Sequence, residues 1–157
     1  MRLPGIIKKE WKKITNRSSI SHSVSLTELK HFLRDCFLFL VDVQTVEDLQ
    51  ECRFFLTTDC FYSMYRKIEN GQNVIRPFDS IVIENIQIYG WKEQVIKKEK
   101  YTVIAAVISI RNKGDWNVFD YDVQMMRPVG DRTDDGMWID EDRDWKIRRF
   151  EKKDWKG

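Results

Sequence analysis

The run Tyr-Thr-Val-Ile-Ala-Ala-Val-Ile-Ser-Ile at residues 101–110 constrains the fold more than any other stretch. It is β-branched and apolar at successive positions, so a strand built from it has no face suited to water. It predicts a central strand covered on both sides. Asn112-Lys113-Gly114-Asp115 follows, a polar turn with a glycine for a positive φ angle. From Trp116 to Met126 the pattern alternates: Phe119, Tyr121, Val123 and Met125 point one way, and Asp120, Asp122 and Gln124 the other. A half-wet strand of this kind belongs beside the covered one, which makes residues 101–126 the central hairpin of an antiparallel sheet.

The residues before the hairpin are helical. Ser25-Leu26-Thr27-Glu28 has the form of a capping box. The helix after it places Leu29, Phe32, Leu33, Cys36, Phe37 and Leu40 on one broad face, while His31 falls off that face, at a surface position. Thr45 caps a second helix carrying Val46, Leu49, Cys52, Phe55 and Leu56. Thr57-Thr58-Asp59 starts a third, with Phe61, Met64, Tyr65 and Ile68 inward and Gly71 suited to the left-handed position at its end. After Pro77 the period changes to that of a strand, from Ile81 to Tyr89, bulged near Glu84-Asn85 where the alternation slips. Residues 90–100 read as a ragged connection or exposed arm, with Lys97-Lys98-Glu99-Lys100 as a solvated turn. Residues 128–136 read as a solvated acidic loop, and Trp145 and Ile147 as part of a last strand before an exposed tail. Helices first and strands after predict an α+β fold, its helices packed on one face of a curved antiparallel sheet of about four strands.

At 157 residues, one domain is expected. The serine-rich stretch at residues 18–24 reads as a linker, dividing an arm and linker at 1–24 from a domain at 25–157. Within the first 17 residues, Arg2, Lys8, Lys9, Lys12, Lys13 and Arg17 face a single acid, Glu10. Leu3, Ile7, Trp11 and Ile14 form a helical stripe among these lysines. Three readings of the arm compete: a helix docked on the domain or on a second subunit, an interfacial helix on an anionic membrane, and an organelle transit peptide. Glu10 and the scarcity of arginine count against the last. Ile7, Lys8, Lys9, Trp11, Lys12 and Lys13 are the expected membrane or partner contacts.

The net charge of +2 calls for no nucleic acid. Cys36, Cys52 and Cys60 form no CxxC pair and sit among apolar neighbours, which reads as buried thiols in a reducing compartment. With only His22 and His31 beside them, neither a metal site nor a cofactor is expected. No apolar run is long enough to span a bilayer and no secretory signal is visible, which places the expectation in the cytoplasm or peripherally on the inner face of a membrane.

A bent sheet wrapped around a long helix can leave a conical pocket, here lined by Phe37, Ala105, Phe119, Tyr121 and Val123. The capped first helix, the helix carrying Phe61-Tyr62-Ser63-Met64-Tyr65, residues 73–88, the paired long strands and the final Trp145-Lys146-Ile147 together resemble the Tim forty-four-like domain. That is the C-terminal domain of the mitochondrial import-motor anchor, within the nuclear transport factor two-like superfold. The resemblance covers about residues 25–150 and is one of pattern, without an invariant motif. It implies a cone-shaped fold with a pocket, protein binding at a membrane surface, and a basic N-terminal segment with membrane affinity.

Three function classes follow. The first is a non-catalytic binding or scaffold domain that associates with itself, with another protein or with a membrane complex. The second is a small cone-fold isomerase or dehydratase, for which Asp42 and Tyr121 are the best acid/base pair on offer. The third is a toxin-neutralising module steered by the mixed charges of the C-terminal region. No glycine-rich phosphate loop, nucleophile elbow or metal motif is present to support an enzyme.

Overall fold

The computed structural model of the chain describes residues 12–13, 25–129 and 144–153. Helix α1 (Leu26–Val41) begins at Ser25, whose hydroxyl accepts from the Glu28 amide at 3.4 Å. Helix α2 (Val46–Glu51) opens on a complete capping box: Thr45 Oγ1 accepts from the Asp48 amide at 3.1 Å, and the Asp48 carboxylate accepts from the Thr45 amide at 3.2 Å. The single second helix expected through Leu56 is instead this short α-helix followed by a 3-10 turn at Arg53–Phe55. Phe55 and Leu56 are nevertheless buried. Helix α3 (Thr58–Glu69) is capped by Thr57 and ends at Asn70, with Gly71 at φ +75°.

Four long strands form an antiparallel meander: β2 (Ile81–Ile96), β3 (Glu99–Asn112), β4 (Phe119–Pro128) and β5 (Lys146–Lys152). The two-residue β1 (Lys12–Lys13) pairs with Trp91 and Gly90 at the other edge of β2. Helices on one face of an open antiparallel sheet make the fold α+β, as the element order implies. Strand β2 bulges between Ile83 and Asn85, and again between Ile88 and Gly90. Residues 90–96 are a regular continuation of β2, correcting the ragged arm expected there. The β2–β3 turn consists of Lys97 and Lys98, at φ 50° and 69°. Both are exposed, as expected of a solvated turn.

Left-handed backbone costs a residue bearing a Cβ about 1–2 kcal/mol, and two-residue turns of this kind favour Asn-Gly. The double substitution Lys97→Asn, Lys98→Gly is therefore expected to stabilise the domain by about 1–2 kcal/mol. Urea unfolding checks this; an unchanged midpoint would mean that the turn is not left-handed at both positions.

The helix expected across residues 3–16 does not hold at Lys12 and Lys13, which are extended and bonded to the sheet. The other arm contacts, Ile7, Lys8, Lys9 and Trp11, lie outside the described residues. So do the linker at 18–24, most of the acidic loop and the end of the tail.

The core lies between α1 and the sheet. Leu29, Leu33, Cys36, Phe37 and Leu40 meet Ile104, Ile108, Tyr121, Val123, Met125 and Ile147 in one buried cluster. Strand β3 is covered on both faces, since all six residues from Val103 to Ile108 are buried. On the face away from the helices, Tyr101 and Met126 pack on Val103 and Ala105. Arg148 of β5 also donates to Gln94 Oε1 of β2 on that side, at 3.0 Å. Three strand spacings would hold β5 and β2 roughly 14 Å apart in a flat sheet. The long Arg148 and Gln94 side chains together reach across that distance over the intervening strands, and Val103, Ala105 and Val107 on this face are buried.

Candidate functional site

Of the residues expected to line a conical pocket, Phe37, Phe119, Tyr121 and Val123 do share the helix-facing side of the sheet. Ring centroids lie 6.1 Å apart for Phe37 and Tyr121, 6.2 Å for Phe37 and Phe150, and 5.2 Å for Tyr121 and Phe150. These rings fill the space that a pocket would need. Ala105 belongs to the opposite face, because side chains alternate along β3 and Ile104 and Ala106 are the inward pair. Phe119 sits at the end of the cluster, with the Arg76 guanidinium 3.9 Å from its ring centre and the Phe78 ring 6.0 Å away.

The acid/base pair is not assembled. Asp42 is an exposed residue at the C-cap of α1, whereas Tyr121 is 2% exposed within the core. Burial pushes the Tyr121 phenol up from its ordinary range, and the neighbouring Arg76 opposes this only in part. Among the described residues the Tyr121 hydroxyl has no hydrogen-bond partner of good geometry, although the Arg76 backbone N–H approaches it. Removing an unsatisfied buried hydroxyl relieves a desolvation cost of about 1–3 kcal/mol. Tyr121→Phe is thus expected to leave urea stability unchanged or to raise it by about 1 kcal/mol; a comparable loss would show that the hydroxyl is bonded after all.

The three thiols offer no nucleophile. All are buried, and burial raises each one: Cys52 to about 11, Cys60 to about 12, and Cys36 further still. A thiol held so far from its thiolate form is chemically quiet. Among the described residues, no group of three or more His, Cys, Asp or Glu side chains is placed to hold a metal ion.

The unusual surface is aromatic, and the apolar periodicity alone does not mark it. The inward stripe of α1 leaves Leu38 and Phe39 pointing out, and Phe39 is 57% exposed. In the 3-10 turn, three residues per turn send Phe55 into the core and Phe54 outward, at 67% exposure. The Phe54 ring stands edge-on to both Phe39 (6.4 Å, 83°) and Phe55 (5.1 Å, 89°). On the adjoining α3, the Arg53 guanidinium lies 4.4 Å over the Phe61 ring and 5.8 Å from that of the exposed Tyr62. Two ring groups on three elements thus flank the 3-10 turn: Phe39 and Phe54 with Phe55 on one side, and Phe61 and Tyr62 under the Arg53 guanidinium on the other. Phe55 and Phe61 root them in the core, while Phe39, Phe54 and Tyr62 face solvent. A signal for them exists in the sequence, since large apolar residues occupy positions off the inward stripe.

Comparison with protein-family models, with curated proteins and with solved structures found no match for the chain. The likeness to the Tim forty-four-like domain therefore rests on the sequence pattern alone. No helix among the described residues is long and apolar enough to cross a membrane.

Proposed function

We propose that this chain is a non-catalytic protein-binding domain whose contact surface is the aromatic patch of Leu38, Phe39, Arg53, Phe54 and Tyr62. The observation that carries the reading is the exposure of Phe39 and Phe54 in edge-to-face contact on two rigid elements. Leaving a Phe side chain in water forgoes about 1.5–3 kcal/mol of burial free energy. Grouped exposed rings mark binding surfaces far more than scattered ones do. Aromatic residues with an arginine match the composition of interface hot spots. Because Phe39 and Phe54 already hold each other in place, little rotamer freedom is lost when a partner covers them.

The enzyme alternative has no support from Asp42, which is exposed at the end of α1, or from Tyr121, which is enclosed in the core. Residues 1–17 are left out of the contact surface, because pairing of Lys12–Lys13 with β2 interrupts the helical stripe that a membrane-lying arm would use. The test is affinity co-purification from cells expressing the protein, comparing the wild type with the double variant Phe39→Ser, Phe54→Ser. A stoichiometric partner lost only from the variant is expected. A partner retained by the variant would remove the patch from the account.

A further inference from the structure

A groove of ≈ 360 Å³ runs between the N-terminal half of α1 and the first part of β2. Its helix wall carries Thr27, Lys30, His31 and Arg34, and its strand wall includes Glu84 and Asn85. Residues spaced three and four apart share one helix face, so the three basic side chains converge on the same opening. The bulge between Ile83 and Asn85 breaks the strand alternation there, which lets Glu84 and Asn85 both border the groove. The carboxylate is already engaged: Arg111, from β3, forms an ion pair with Glu84. Nearby on α1, Glu28 and Asp35 are exposed and do not line the groove. What faces the opening is therefore an excess of donors, Lys30 and Arg34 among them.

We infer that this groove binds a phosphate monoester. Arg34 supplies a planar fork of N–H donors and Lys30 a compact ammonium, while His31, Asn85 and Thr27 can each add a single donor. Five donor side chains exceed what the two oxygens of a carboxylate can use, whereas the three terminal oxygens of a phosphate monoester accept them. The inference is independent of the aromatic patch. The same headgroup chemistry is offered by soluble phosphorylated compounds and by phosphatidic acid in a membrane.

The experiment is an amide-resolved NMR titration of the full chain with O-phosphoserine at fixed ionic strength, followed by flotation with vesicles of neutral lipid with and without phosphatidic acid. Saturable shifts at Thr27, Lys30, His31, Arg34 and Asn85 are expected. The double variant Lys30→Gln, Arg34→Gln should weaken binding at least tenfold while keeping a dispersed, folded spectrum. Glu84→Gln should bind as tightly as the wild type or more so. Flotation that requires phosphatidic acid and is lost in the double variant would identify a lipid source, and titration without flotation a soluble one. Shifts spread equally over the other exposed lysines, Lys97, Lys98 and Lys113 among them, would overturn the inference, as would an affinity unchanged in the double variant.

Discussion

Phe37→Ala is expected to cost about 3–5 kcal/mol, the range for removing a large ring from a close-packed site. The side chain is fully enclosed, between the rings of Tyr121 and Phe150. Its neighbours belong to α1 and to two strands, and no single one can move in to fill the space. A loss of that size is a large fraction of the roughly 5–15 kcal/mol that holds a typical domain together. It should lower the thermal midpoint by about 10 °C, given roughly 2–4 °C per kcal/mol for a domain of this length. Phe39→Ala, two residues further on the same helix, removes the same ring from the surface and should change stability by no more than about 0.5 kcal/mol. The contrast decides whether the helix-facing space is packed core or pocket. A Phe37→Ala variant losing under about 1 kcal/mol would restore the conical pocket that the sequence suggests.

The second large effect concerns binding. Phe54→Ser and Phe39→Ser should each weaken a cognate partner by on the order of 2 kcal/mol, about thirtyfold in Kd. The two should not be additive, since each ring is the other's support. Stability should hold or improve slightly in both variants, because each replaces exposed apolar surface with a hydroxyl. That split between binding and stability is the mark of a contact surface. A Phe54→Ser variant that unfolds would mean that the ring serves the 3-10 turn and not a partner. Calorimetric titration with the partner recovered by co-purification gives the first quantity, and urea unfolding the second.

The central architecture could be read from local chemistry. The both-face apolar run at residues 101–110 is central because no other environment suits it, and Ser25, Thr45 and Thr57 announce the helix starts through their side-chain oxygens. The slip near Glu84-Asn85 is a bulge in the structure. What escaped reading is set by partners distant in sequence. Residues 90–96 lack an apolar alternation because this end of β2 carries Lys92, Glu93 and Gln94, so the strand is recognised only through its pairing with β3. The turn after it hides because lysines take the left-handed positions that glycine and asparagine usually announce. The pleat puts Ala105 and Ala106 on opposite faces, but they are alike in sequence, and only the packing shows that Ala106 is the one facing the helices. Lys12 and Lys13 sit in a helical pattern that strand pairing overrides. The aromatic patch hides for a related reason: Phe39 and Phe54 stand next to core residues in apolar stretches, and only the packing shows which rings turn outward.

The most direct test of the central claim is site-specific photo-crosslinking in cells, with a photoreactive phenylalanine analogue at position 54 and, as reference, at position 116. Trp116 is 93% exposed in the β3–β4 turn and is not part of the proposed contact surface, so it reports random encounters. The account predicts one discrete protein adduct from position 54 that is absent from position 116 and is suppressed by Phe39→Ser. The same weak ladder from both positions, or no adduct from position 54, would contradict it.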